Sequence, residues 1–574
     1  MNHFTIDNKK KNSISQEKIL LVLLPYWPPL IPPLGISCLK SYLRQHGFEV
    51  KTADANTDSR FKQVYDKYFN TLQEYVPDDK QGNLYNIGHD VLKSHMMAHL
   101  DYEKETDYLE LVKQVIAKNY FFTAAENLVK ELNKIVNEFY TILAGYFLDL
   151  LQENQPTVLG LSVYRGVLPA SLFAFKLTRP RYPHIRTVMG GAIFSQSLGI
   201  GTPNWQRFLE KTPYIDKIII GEGEKLFLKY LQGELPESRR VYTLKDINDE
   251  VLDISGLEVP DFTDLDLHYY PNLASYASRS CPFQCSFCSE TVYWGKYRKK
   301  SAHQVADELH RLYKTYGSQL FLLGDSLLNP VITDLARAFI ERETAIYWDG
   351  YLRVDQEACR DEIVLLWRQG GFYRARLGIE SGSPRILAAM GKKVTVDQCK
   401  TTISTLARMG IKTTTYWVVG YPGETSEDFR QTLEMIEELK NDIYEAECNH
   451  FRYFLTGQVS SGEWSQEKIL PLYTGNVENM LMIQTWIMDC EPSREEQMKR
   501  VNRFVQHCHR LGIPNPYHLH DIHQADERWK KLHKNAVPPV MEFEINGEYI
   551  DECKRVKNLH QAQSSLQNDV NFCF

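Results

Sequence analysis

The segment SCPFQCSFCSE, residues 280–290, brings Cys281, Cys285 and Cys288 close enough in sequence for their sulfurs to converge on one loop. Thiolates are soft ligands that suit zinc, copper(I) or iron–sulfur clusters. A structural zinc site takes four protein ligands, and no second CxxC or CxxH lies nearby. Three ligands instead leave one iron of a [4Fe–4S] cluster open to bind something else. The plain alternative is three buried thiols acting as small hydrophobes. The spacing, and the βα pattern that follows it, argue against that.

Downstream of the cysteines, helix and strand patterns alternate as a partial (β/α) barrel would require. SAHQVADELHRLYKTYG leads to QLFLLGDS, PVITDLARAFIERE to AIYWDGYLRVD, EIVLLWRQGG to YRARLGIESGS, and VDQCKTTISTLARMG to IKTTTYWVVGYPGET. Polar residues at the ends of such strands usually face an active site.

Upstream, KILLVLLPYW (residues 18–27) reads as a buried parallel strand, followed by the loop PPLIPPLG, the helix ISCLKSYLRQHG and the strand FEVKTADAN. This opening suits a doubly wound, ligand-binding sheet. Residues 57–152 break the pattern with long amphipathic helices, most simply a helical insertion. Its plain role is packing; a lid or substrate-docking surface is the sharper one. The α/β rhythm resumes at PTVLGLSVYRG, IRTVMGGAI and IDKIIIGEGE. The loops Ser162–Val163–Tyr164, Gly190–Gly191 and Gly221–Glu222–Gly223 then stand at strand C-termini, where ligands bind and glycines admit a close approach.

The CxxxCxxC spacing, with Phe287 before its last cysteine, resembles the radical S-adenosylmethionine (SAM) superfamily. The resemblance implies that the open iron chelates the amino and carboxylate groups of SAM. An electron, from a donor such as flavodoxin or ferredoxin, then cleaves SAM to a 5′-deoxyadenosyl radical. It also implies SAM-binding roles for residues at strand ends. Asp325 stands where the family usually has Gly-Gly-Glu and would meet the SAM amine. Arg353 would pair with a carboxylate or form a structural ion pair. Glu380, in GIESGS, would hold polar groups of SAM. Gly420 and Pro422, in VVGYPGET, would lie beside the adenine with Phe287.

The serine and double-glycine loops resemble those of cobalamin-binding domains. The first loop, PYWPPLIPPLG, lacks the Asp-x-His-x-x-Gly histidine that ligates cobalt from below. The likeness is therefore to the radical SAM branch, and Ser162, Tyr164, Gly190, Gly191, Gly221, Glu222 and Gly223 are its implied cobalamin contacts. A vestigial Rossmann domain that binds nothing is the rival. The implied function is methyl transfer from methylcobalamin to an unactivated carbon of a natural-product or peptide substrate, after hydrogen abstraction. The alternative keeps the radical chemistry without methylation, as a cyclisation, rearrangement or oxidation.

The expected architecture is α/β throughout. It comprises a Rossmann-like cobalamin-binding domain (1–235), a linker (236–270), a radical SAM partial barrel (271–455) and a mainly helical C-terminal region (456–574) that covers the substrate. The tail is rich in histidine (His507, His509, His518, His520, His523), where solvated or hydrogen-bonded side chains are expected over a metal site. A chain of 574 residues needs several cores. The net charge of -7 speaks against a broad nucleic-acid surface. No apolar run reaches the ~20 residues of a membrane span. The N-terminus is polar, and eleven cysteines in so long a chain, with Cys448, Cys490, Cys508, Cys553 and Cys573 scattered, suit a reducing cytoplasm better than a disulfide framework.

Overall fold

The computed structural model describes residues 17–26, 31–342, 346–475, 481–515 and 519–533. Two six-stranded parallel sheets organise it. In the first, β1 (Lys18–Leu23) is buried on both faces, as its unbroken aliphatic run requires. The helix α1 (Leu34–Gln45) carries the chain over to β2 (Glu49–Asp54). Four long helices follow: α2 (Ser59–Tyr75), α3 (Leu84–Asp101), α4 (Glu105–Tyr120) and α5 (Glu126–Asn154). They form the expected insertion. Their apolar faces join the core beneath the sheet, with Tyr68, Leu111, Leu132 and Phe147 fully buried.

The chain re-enters the sheet as β3 (Val158–Ser162), α6 (Leu168–Arg181), β4 (Arg186–Gly190) and β5 (Lys217–Ile220). The helix α7 (Gly223–Leu231) then leads to β6 (Val241–Thr243). Strand order is β2-β1-β3-β4-β5-β6, all parallel. This corrects two boundaries. The first domain does not end at residue 235, because β6 is its edge strand, and residues 236–270 are not a free linker. Lys40 of α1 is fully buried and binds Asp261 at 3.0 Å and Asp264 at 2.8 Å, which clips the connector onto the first domain.

The second sheet takes its strands in chain order: β7 (Leu273–Ser275), β8 (Leu320–Leu323), β9 (Tyr347–Leu352), β10 (Phe372–Glu380), β11 (Lys412–Val419) and β12 (Glu445–His450). Helices between them, such as α8 (Ala302–Tyr316) after the cysteine loop and α9 (Ser426–Glu438) after β11, cover its outer face. Asp349 on β9 is fully buried and takes Arg374 and Arg376 of β10, each at 2.8 Å. The two arginines share a face because side chains alternate along a strand.

The tail is not a separate domain. A hairpin of β13 (Ile469–Pro471) and β14 (Trp486–Met488) is followed by α10 (Arg494–Arg510) and α11 (Leu519–Leu532). Leu472, Tyr473 and Met498 enter the first core, whereas Val501, Phe504 and Cys508 enter the second. His507 lies against the Leu433 carbonyl at 3.2 Å. His518 and the side chain of His520 lie outside the described residues, as do Cys553 and Cys573.

On α11, Asp526 is buried and binds Lys412 of β11 at 2.6 Å, with the Tyr444 hydroxyl donating to it at 2.7 Å. Removing one partner of a buried pair leaves a charge without compensation. Asp526→Ala should therefore cost about 3–5 kcal/mol, read as a lower urea midpoint. Asp489→Ala, which breaks the exposed Lys468–Asp489 pair, should leave the midpoint nearly unchanged.

Candidate functional site: the cluster loop and the cavity beside it

The cysteine loop begins just beyond β7. A short antiparallel ladder, Ser278–Arg279 against Arg298–Lys299, closes it at the base. Ser280 sits in the left-handed region, with φ 73°, and its hydroxyl donates to the Gly295 carbonyl at 2.6 Å. The Cys288 N–H donates to the Cys285 carbonyl at 3.0 Å, turning the chain between those two thiols. Outside groups fix the rest. Ser286 donates to the Met390 carbonyl and shares a 2.8 Å hydrogen bond with Tyr421. Gln458 donates to the Phe287 carbonyl, and Gln196 donates to the Ser289 hydroxyl. Both sheets and the tail thus hold one loop.

Cys285 is buried, and Cys281 and Cys288 are half-buried. Burial pushes the Cys288 thiol up to about 12 and raises that of Cys281. These sulfurs therefore lose their protons to a metal rather than to water. Among the described residues, no three His, Cys, Asp or Glu side chains could hold a single metal ion. The donor set, three loop thiols with no fourth ligand, suits a body larger than one ion, such as a four-iron cluster.

Arg353 follows β9 and reaches this loop. Its Nη1 donates to Cys285 Sγ at 3.3 Å, and its guanidinium lies 4.1 Å from the centre of the Phe283 ring. Its Nη2 is buried without a hydrogen-bond partner. Such a donor costs free energy unless something accepts from it, and an anionic cluster or a carboxylate would. Glu380 ends β10 at φ 70°, a strained setting for a non-glycine residue of the kind found at functional sites. It pairs with Lys392 at 3.1 Å.

Three expected contacts are placed differently. Asp325 is buried and spends its oxygens on the Ala277 N–H and the Ser278 hydroxyl, so it braces the loop entrance instead of offering an acceptor. Gly324 and Ser326 beside it line the cavity described next. Gly420 has φ 74°, and a Cβ there would come within 2.3 Å of Gln497, so its glycine serves the packing of α10. Phe287 packs in an aromatic group with Tyr421, Phe451 and Trp464.

A cavity of about 370 Å³ lies between the C-terminal ends of β3, β4 and β5 and the cluster loop. Ser162, Gly190, Gly191, Gly221, Glu222 and Gly223 all line it, and it runs down the sheet face to Gly160, between α1 and α7. The helix Glu290–Trp294, which begins two residues after Cys288, forms the opposite wall through Glu290 and Trp294. Tyr164 is the exception. It stacks edge-on against Tyr26, 5.1 Å between centres, and packs toward the helical insertion. Gly191 needs to be glycine because a Cβ there would meet the Val163 carbonyl oxygen at 2.4 Å. No histidine is among the described residues lining the cavity.

Arg279, which nothing in the sequence singled out, spans this wall. It binds Glu224 at 2.5 Å and approaches Glu222 at 3.4 Å, with Tyr276 and Trp294 on its faces. Glu222 also takes Arg298. Burial pushes the Glu222 carboxyl up, but Arg298 and Arg279 outweigh it and leave it below its ordinary value. The Gly-Glu-Gly-Glu turn is thus a clamp between the first sheet and the cluster loop.

With this geometry in hand, known proteins supply the context. Residues 275–436 match the radical SAM superfamily. The anaerobic magnesium-protoporphyrin IX monomethyl ester cyclase of Rubrivivax gelatinosus is 26% identical over 316 residues, 50% of this chain and 55% of that one. The cobalamin-dependent radical SAM methyltransferase TokK of Streptomyces tokunonensis is 24% identical over 50% of this chain and 46% of its own. The chain spans about half to two-thirds of the length of the first curated relatives that it matches. Among solved structures, TsrM of Kitasatospora setae, a radical SAM methyltransferase with cobalamin and a [4Fe–4S] cluster bound, superposes with TM-score 0.58. It does so at 14% identity, over 96% of this chain and 100% of that one. The cobalamin-dependent OxsB gives TM-score 0.50 at 16% identity, over 83% of this chain and 57% of its own.

Residues 275–436 are a radical SAM domain by the superfamily match. The two-sheet fold of the whole chain is that of TsrM and OxsB. No helix among the described residues is long and apolar enough to cross a membrane.

Cys285→Ala removes the buried thiol that Arg353 supports. The protein should fold yet lose its iron and sulfide and the visible absorption of a cluster, measured on anaerobically reconstituted protein.

Proposed function

We propose that this chain is a cobalamin-dependent radical SAM C-methyltransferase acting on a small-molecule or peptide substrate. The observation that carries the reading is the single cavity shared by the serine and glycine loops of the first sheet and by the cluster-loop helix. A corrinoid is a flat macrocycle with a nucleotide loop. The lining runs from Gly190, Gly221 and Trp294 at the strand ends to Gly160 on the sheet, and both parts would lie along it. When bound, the cluster and SAM supply hydrogen abstraction from an unactivated carbon, and cobalamin supplies the methyl group.

The protein's own part is placement. The Glu222–Arg298 and Glu224–Arg279 pairs hold the cavity wall against the loop. Arg353 donates to the Cys285 sulfur and keeps a second donor for an anionic partner. Each SAM cleavage takes one electron from a donor such as flavodoxin or ferredoxin. A second reading, radical chemistry without methyl transfer, is favoured by the likeness to the Rubrivivax gelatinosus cyclase.

Anaerobic purification with hydroxocobalamin supplied, followed by cobalt, iron and sulfide counts, tests the reading. Cluster together with stoichiometric corrinoid is expected, and cluster with no corrinoid would overturn it. With a substrate in hand, labelled SAM should add one methyl to the product; an unchanged carbon count favours the second reading. Gly223 lines the cavity, and a Cβ there meets nothing within 4 Å. Gly223→Leu should fill the cavity without strain, lowering corrinoid retention several-fold while iron content and melting temperature stay put.

A further inference from the structure

A second cavity, of about 70 Å³, opens where the C-terminal ends of the two sheets meet. It is walled by charge. Asp90 of α3 accepts from Lys93 at 3.0 Å, from Arg165 beyond β3 at 3.3 Å and from Arg452 beyond β12 at 2.8 Å. Arg494, at the start of α10, donates only to neutral groups: the Asn119 amide oxygen at 2.9 Å and the Lys118 carbonyl at 3.4 Å. Asp90 is the one carboxylate among the described residues lining the cavity. Three guanidinium groups and one lysine therefore face one carboxylate.

Such an excess is costly in a partly buried space unless an anion balances it. Arg165 Nε is buried without a hydrogen-bond partner. Burial, together with the charge of Arg165, pushes the Lys93 ammonium down to about 7 even though Asp90 is beside it. Burial and the neighbouring Arg452 and Arg494 likewise keep His450 neutral, well below its ordinary value. Guanidinium groups bind carboxylate and phosphate through paired donors, and the cavity has room for one such compact group.

We propose that this cavity receives an oxyanion of the substrate, a carboxylate or a phosphate, with Arg452 and Arg494 as its main donors. The inference rests on the proposed radical SAM function, whose substrate must reach the cysteine loop. Gln196 lines this cavity and hydrogen-bonds Ser289, the neighbour of Cys288, so a substrate anchored here by its anionic end has its remainder one side chain from the cluster loop.

The test uses the full chain, anaerobically reconstituted with iron, sulfide and hydroxocobalamin, in thermal unfolding. Inorganic phosphate, acetate and chloride are compared at equal ionic strength. Phosphate or acetate should raise the melting temperature by several degrees beyond chloride, and the larger response identifies the oxyanion. Arg494→Gln should lose most of that gain. Asp90→Asn, which keeps Arg165, Arg452 and Arg494 and removes the internal anion, should enlarge it; this variant decides the matter if Arg494→Gln fails to fold. No oxyanion effect beyond chloride, or a gain undiminished in Arg494→Gln and not enlarged in Asp90→Asn, overturns the proposal. Corrinoid content of the same samples separates the two readings. A response without corrinoid keeps the anion site and removes methyl transfer, whereas corrinoid without a response removes the anion site alone.

Discussion

The buried ion pairs of Glu222 and Glu224 with Arg298 and Arg279 are what the two halves of the molecule depend on. Four charges out of water are tolerable only because each finds its partner at close range. One side of the clamp is a turn at the end of β5, and the other is the ladder that closes the cluster loop. The placement of the 370 Å³ cavity against the cysteine loop is set by this contact and not by a flexible connector. The connector itself is pinned through Lys40 to Asp261 and Asp264, which removes a second source of play between the sheets.

The insertion and the tail complete this frame. Tail residues enter both hydrophobic cores, and the loop between β12 and β13 holds Phe287 in place through Gln458. Gly420 leaves no room for a side chain because Gln497 of α10 presses against it. Segments that carry no cofactor motif therefore help to keep the cofactor machinery in register.

What could be read from the sequence was whatever sits close together in it. Cys281, Cys285 and Cys288 share one loop, and the glycine turns of the first sheet each follow an aliphatic strand, so local pattern located them. Strand β6 escaped notice because three residues in a polar stretch give no periodicity. Tyr164 was misplaced because its position after β3 does not say toward which side the ring turns; it turns to Tyr26, beyond β1. Asp325 had the right residue type at the right strand end, but buried donors at Ala277 and Ser278 claim it first. Arg279 and the set of Asp90, Lys93, Arg165, Arg452 and Arg494 had no signal at all. Their members come from distant parts of the chain and meet only in the fold.

That dispersal bears on how such a protein diverges. Asp90, Lys93 and Arg494 sit on helices outside both sheets, whereas the cysteines, Arg353, Glu380 and the glycine turns sit at sheet ends. Inheritance can therefore rewrite one set while conserving the other. A gene copy that changed only Asp90, Lys93 and Arg494 would remake this charged cavity and leave the residues at the sheet ends in place.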